Sequence, residues 1–169
     1  NLLGHKEDGA HYHERVFHAY HALSREGRYK VASMLCARMF SGFTPGEAEA
    51  LALAAITEEG SRIGSKMLYD VHIERGLAVR PQILSLMQYL TSKRVLLWIV
   101  SAGAEPAARA AMRHFGIEGR LVGVRSALKN GMFTSELKIP LPIIEGKVEC
   151  VKKFIDQKKD STWVYYDDN

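Results

Sequence analysis

The chain has little of what disulfide-stapled or membrane-spanning proteins depend on. Its two cysteines, Cys36 and Cys150, lie far apart in segments of helical pattern, so they read as buried free thiols in a reducing, cytoplasmic setting rather than as a disulfide framework. No apolar run approaches the roughly 20 residues that a membrane span requires. The longest, Val95 to Val100, is strand-sized, and nothing resembles a signal peptide. Charge of one sign is also lacking: 23 basic residues are interspersed with 19 acidic ones for a net +4. A nucleic-acid partner needs a concentrated basic stripe, whereas Lys152, Lys153, Lys158 and Lys159 share one predicted helix and read as a solvated face. What the 169 residues do have is 47% hydrophobic content, enough for one core with a helical accessory unit and too much for a disordered or collagen-like class. The chain starts at Asn1 rather than Met and stops at Asn169 just after an apolar run. It is therefore expected to be a segment of something longer.

Apolar spacing divides the chain into two halves. Helical periodicity is expected over His11 to Glu26, Arg28 to Phe40, the stretch from Pro45 to Glu59, and Arg62 to Arg75. Thr44-Pro45-Gly46-Glu47 is a good start signal for the third of these, and Gly76 reads as the stop for the fourth. Four helices with short connections suggest an antiparallel bundle over residues 1–78, with Val16, Tyr20, Leu35 and Met39 buried in it. Residues 79–169 change character. A helix over Pro81 to Ser92 precedes the run Val95 to Val100, which suits a strand buried on both faces. An alanine-rich helix to Phe115, a strand over Leu121 to Arg125, a hairpin at Asn130-Gly131, a helix from Gly146 to about Gln157 and a strand over Trp163 to Tyr166 follow. That order predicts an α/β fold with a mostly parallel, Rossmann-like sheet.

In such a sheet ligands bind beyond the carboxyl ends of the strands. Ser101 follows one apolar strand and precedes a helix, so its hydroxyl and the amides of Ala102 and Gly103 can point at a common anion. A plain helix cap is the competing reading of Ser101. Asp167 and Asp168 end another strand, where a carboxylate can hold Mg²⁺ through oxygen ligands or simply finish the strand in a polar turn. Lys147 opens a helix, an unfavourable place for a cation unless an anion lies nearby. It is not a nucleotide P-loop lysine, since Leu141 and Val148 stand where Gly and Ser or Thr are needed. His5, His11, His13, His18, His21 and His72 lack a cysteine or acid cluster of metal spacing and read as structural or solvated.

The ordered set Val100-Ser101-Ala102-Gly103, Glu145-Gly146-Lys147 and Tyr166-Asp167-Asp168-Asn169 resembles the second, third and fourth motifs of haloacid dehalogenase superfamily phosphatases, closest to the phosphoserine-phosphatase-like branch. The resemblance covers Pro81 to Asn169 by motif and the helical half only by architecture, as a cap. It implies a Mg²⁺-dependent phosphomonoester hydrolase acting through an aspartyl phosphate on a small phosphorylated metabolite. Ser101 would bind the phosphate, Lys147 would neutralise it, and the register makes Asp168 the metal ligand, with Asp167 at the family's small-residue position. The first motif, Asp-x-Asp on a buried strand, has no counterpart: Lys6-Glu7-Asp8-Gly9 puts Lys6 where the nucleophile belongs. The nucleophile is expected before Asn1, which leaves residues 79–169 a partial core and the segment inactive by itself. A non-catalytic binding or regulatory protein of the same fold is the alternative, followed by an unrelated α/β nucleotide-binding module.

Overall fold

A computed structural model of the protein describes residues 9–159. Three helices open it: α1 (Gly9–Arg25), α2 (Tyr29–Arg38) and α3 (Pro45–Gly60). The start of α3 is a complete capping box. Thr44 Oγ1 accepts the Glu47 N–H at 3.3 Å while Glu47 Oε2 accepts the Thr44 N–H at 2.9 Å, so two otherwise unpaired donors at the helix start are satisfied reciprocally. The same backbone hydrogen bond, followed by that of the Thr44 side chain, holds the Glu47 carboxyl below the usual carboxylate range.

The chain after α3 departs from the helix its sequence suggests. Residues 62–75 carry an antiparallel hairpin, β1 (Gly64–Leu68) and β2 (Val71–Arg75), with Ser65 opposite Glu74 and Met67 opposite His72. Its two turn residues, Tyr69 and Asp70, both take positive φ (45° and 62°), the tight-turn form whose twist matches that of the strands. Along β2 half-buried and exposed residues alternate, the two-residue period of a strand with one covered face. Glu59 at the end of α3 tethers the hairpin, accepting from Lys66 Nζ at 3.1 Å and Arg75 Nε at 2.9 Å. The first half is therefore three helices and a hairpin rather than four helices.

The second half follows the expected order. α4 (Pro81–Ser92) leads to β3 (Trp98–Ala104), α5 (Glu105–His114) and β4 (Arg120–Val124); β5 (Ser126–Lys129) and β6 (Met132–Leu137) then form a hairpin, and α6 (Gly146–Lys159) follows. β3 and β4 are parallel, with Ile99 opposite Leu121. The β5–β6 turn is Asn130-Gly131, both at positive φ. β3 begins later than the apolar run does: Val95 and Leu96 are exposed, because the exit from α4 occupies residues 93–95, and the ladder opens where the Arg120 N–H reaches the Leu97 carbonyl at 2.8 Å. The expected strand at Trp163 to Tyr166, with Asp167 and Asp168, lies outside the described residues.

The core joins both halves. Ala37 of α2, Ala104 of β3, Val124 of β4 and Ile143 form a buried cluster, with Met34, Phe40, Ala102, Ala107, Leu137 and Leu141 against it. α3 packs along α5, and α2 packs on β3 and β6. A second departure is that Val16 and Leu35 are half-buried and Tyr20 and Met39 exposed; on α2 the small residues Ala32 and Ala37 are the ones turned inward, in place of Leu35 and Met39. Cys150 is buried and Cys36 half-buried, both free, with burial pushing each thiol up from its ordinary value. Among the described residues no helix is long and apolar enough to cross a membrane.

Candidate functional site

Ser101 sits in an irregularity of the sheet rather than after it. Val100 pairs with Val122, and the next pair is Ala104 with Val124. Four residues of β3 thus advance against two of β4, and Ser101, Ala102 and Gly103 leave the ladder as a bulge at its carboxyl end, a common site for re-aimed side chains. Ala102 packs on the core. The Ser101 hydroxyl accepts the Gly103 N–H at 3.1 Å. Ser101 does not cap α5, whose cap position is Ala104 with no side-chain hydrogen bond, and the Gly103 amide, expected to face an anion, is directed at the Ser101 hydroxyl. A serine hydroxyl has one hydrogen and two acceptor lone pairs. With a lone pair engaged by Gly103, its own hydrogen is left to donate.

The start of α6 is brought beside this bulge by packing. Leu141 and Ile143, a few residues before α6, lie in the cluster that holds Ala102 and Ala104, and α6 itself approaches β3. Ile144 takes a positive φ of 50°, and Gly146 comes so close to the Leu141 carbonyl oxygen that a methyl there would overlap it. Lys147 follows at once, exposed, with no ion pair or side-chain hydrogen bond among the described residues. Among the described residues its ammonium is therefore a cation at the positive end of a helix with no ion-pair partner. Ser101 and Lys147 make no direct hydrogen bond with one another.

Glu105 belongs to this region and was not singled out by the sequence. It is the first residue of α5 and only 7% exposed. Arg125 Nε reaches its Oε2 at 2.5 Å and Arg125 Nη2 its Oε1, while Arg109 Nη2 lies 2.9 Å from Oε1. In the sequence such an acid looks like an ordinary first-turn complement to the helix dipole; the available signal was an arginine one residue past the next parallel strand. Among the described residues no cluster of His, Cys, Asp and Glu could hold a metal, and His18 and His21 instead sit with Phe17, whose ring is 4.3 Å from that of His21.

A parallel β-α-β unit with a polar bulge near the carboxyl end of its first strand defines an α/β protein of the kind that binds ligands at the carboxyl edge of its sheet. The particular family is settled by sequence: a model of the haloacid dehalogenase-like hydrolases matches residues 3–167, and the chain belongs to that family. Among curated proteins none matches it. Among solved structures it is similar to a crystal structure of a protein with unknown function from Bordetella pertussis Tohama I, at 16% identity and a TM-score of 0.58. That likeness concerns the fold. It covers 92% of this chain but 63% of the other, so the chain spans less than two thirds of the protein it matches.

Proposed function

We propose that the full-length protein carrying this chain is a Mg²⁺-dependent phosphomonoester hydrolase of the phosphoserine-phosphatase-like branch, acting on a small phosphorylated metabolite. Residues 79–169 would supply the second to fourth motifs of its core and residues 1–78 its cap. The observation that supports this most is the hydroxyl of Ser101, displaced from the ladder in a bulge and left with a free hydrogen. That hydrogen would donate to a phosphate oxygen, and the ammonium of Lys147 would offset charge on the same group. The phosphoryl group would pass from the ester oxygen to an aspartate carboxylate, the alcohol leaving with a proton, and water would then release orthophosphate and restore the carboxylate. Asp168, with Asp167 beside it, offers the hard carboxylate oxygens that suit Mg²⁺. When bound, the ion would offset phosphate charge. If the strand expected from the sequence reaches them, their side chains would point to opposite faces, and the two acids would not serve one ion equally.

The test is hydrolysis of p-nitrophenyl phosphate by the full-length protein with Mg²⁺. Ser101→Ala and Lys147→Ala should each lower kcat/KM by about 100-fold, as loss of one charge-stabilising donor does. Asp168→Asn should abolish turnover while Asp167→Asn retains much of it. A wild-type protein inert toward phosphomonoesters, or a Lys147→Ala variant at full activity, would overturn the reading.

A further inference from the structure

We propose that Glu105 and Arg125 are positioning residues for the Ser101 bulge: their buried ion pair fixes the start of α5 against the end of β4 and so sets where Ser101 presents its hydroxyl. This deepens the phosphatase reading and rests on it. Glu105 is the residue immediately after β3, and Arg125 the residue immediately after β4. The pair therefore bridges the carboxyl ends of the two parallel strands, at the edge where ligands bind in such sheets. The side chains are 9% and 18% exposed, and the guanidinium meets the carboxylate through two nitrogens, the fork geometry that fixes orientation as well as distance.

Three further features tie the pair to the bulge. The bulge is bounded by Val100 opposite Val122 and by Ala104 opposite Val124, and Glu105 follows Ala104 directly, so the clamp lies at the distal boundary of the displaced segment. A side chain at Gly123 would place its Cβ 2.6 Å from Glu105 Cα. Residue 123 is also the residue of β4 that the bulge passes, so the absent side chain admits the start of the helix to the place where the ladder is interrupted. Arg109, one turn along α5, shares the carboxylate at 2.9 Å, which leaves Glu105 little freedom to turn elsewhere. A buried ion pair of this kind is often no more stabilising than an apolar replacement. Its contribution is geometry. Without the clamp, Ala104 and the amide of Gly103 are free to shift, and Gly103 is the group that orients the Ser101 oxygen.

A double-mutant cycle in the full-length protein tests this, read by orthophosphate affinity and by amide hydrogen exchange at residues 102–104. Glu105→Gln should weaken orthophosphate about tenfold, the worth of a hydrogen bond to a charged group. In a Ser101→Ala background the same change should add less than about twofold, since the pair acts through Ser101. Equal losses in both backgrounds, or affinity unchanged by Glu105→Gln, would overturn the proposal. Should Glu105→Gln fail to fold once the pair with Arg125 is broken, Glu105→Gln with Arg125→Met removes both charges and should show the same coupling to Ser101. Failure of the wild type to bind orthophosphate would sink the phosphatase reading alone. Exchange then decides the positioning role: faster exchange at 102–104 in Glu105→Gln supports it, and unchanged exchange overturns it.

Discussion

At Gly146 an added methyl would overlap the Leu141 carbonyl oxygen, whereas at Gly46 it would meet nothing within 4 Å. Gly146→Ala should therefore cost about 1–3 kcal/mol, as forced overpacking does, and should impair phosphomonoester hydrolysis further by moving Lys147. Gly46→Ala lies in the first turn of α3 at an ordinary φ and should be neutral or stabilising by up to about 1 kcal/mol. Urea midpoints of the two variants check the contrast. Ser101 and Gly146-Lys147 stood out in the sequence because a hydroxyl between an apolar strand and a helix suits either an anion or a helix cap, and a cation at a helix start is out of place without an anion. The partner of Ser101 was not legible. A bulge arises from the mismatch between two strands, and neither strand announces it alone. Glu105 was hidden for a different reason: an acid in a first helical turn already has an explanation, so its burial and its bond to Arg125, 20 residues away, had no local trace.

The hairpin β1–β2 is the element that sequence periodicity misread. Met67, Leu68, Val71 and Ile73 fit a helical stripe about as well as a strand, and the turn residues Tyr69 and Asp70 lack the glycine that marked the Asn130-Gly131 hairpin so clearly. What decides the matter is tertiary: Glu59 at the end of α3 accepts from Lys66 and Arg75, one on each strand. Hydrogen bonds from Lys66 first and Arg75 next hold the Glu59 carboxyl below its ordinary range, so the folded hairpin favours the charged form. The tether is then complete above the ordinary carboxylate range and is lost as pH falls through the depressed folded value. Amide exchange in residues 64–75, corrected for intrinsic rates, should accelerate under acid in the wild type. Glu59→Gln should show the loosened hairpin already at neutral pH and no such acid step. Because the pairs are partly exposed, the wild-type protection should also fall with added salt. Exchange independent of pH in the wild type would mean that strand pairing alone holds the element.

For the whole molecule, the α/β class was legible from the alternation of helical and strand-sized runs, but the extent of the core was not. Among the described residues Val124 and Pro142 are the largest fully buried side chains, and α4 has no buried residue among its twelve. Ile83, Leu86 and Tyr89 recur every three residues along α4 and are 49%, 52% and 59% exposed, which puts them on neighbouring positions of one face. Apolar side chains aligned on one face make it a candidate contact surface, and the chain spans only 63% of the solved protein whose fold it shares. The expectation is that this face is covered in the full-length protein. Leu86→Gln should then destabilise the full-length protein by about 1 kcal/mol or more, since half of a leucine side chain remains to be buried. In residues 1–169 alone the same change should stay within about 0.5 kcal/mol, as exposed substitutions do. Denaturant midpoints of both lengths, with and without Leu86→Gln, provide the comparison. An equally small effect in both would mean that α4 keeps this face to solvent in the complete protein.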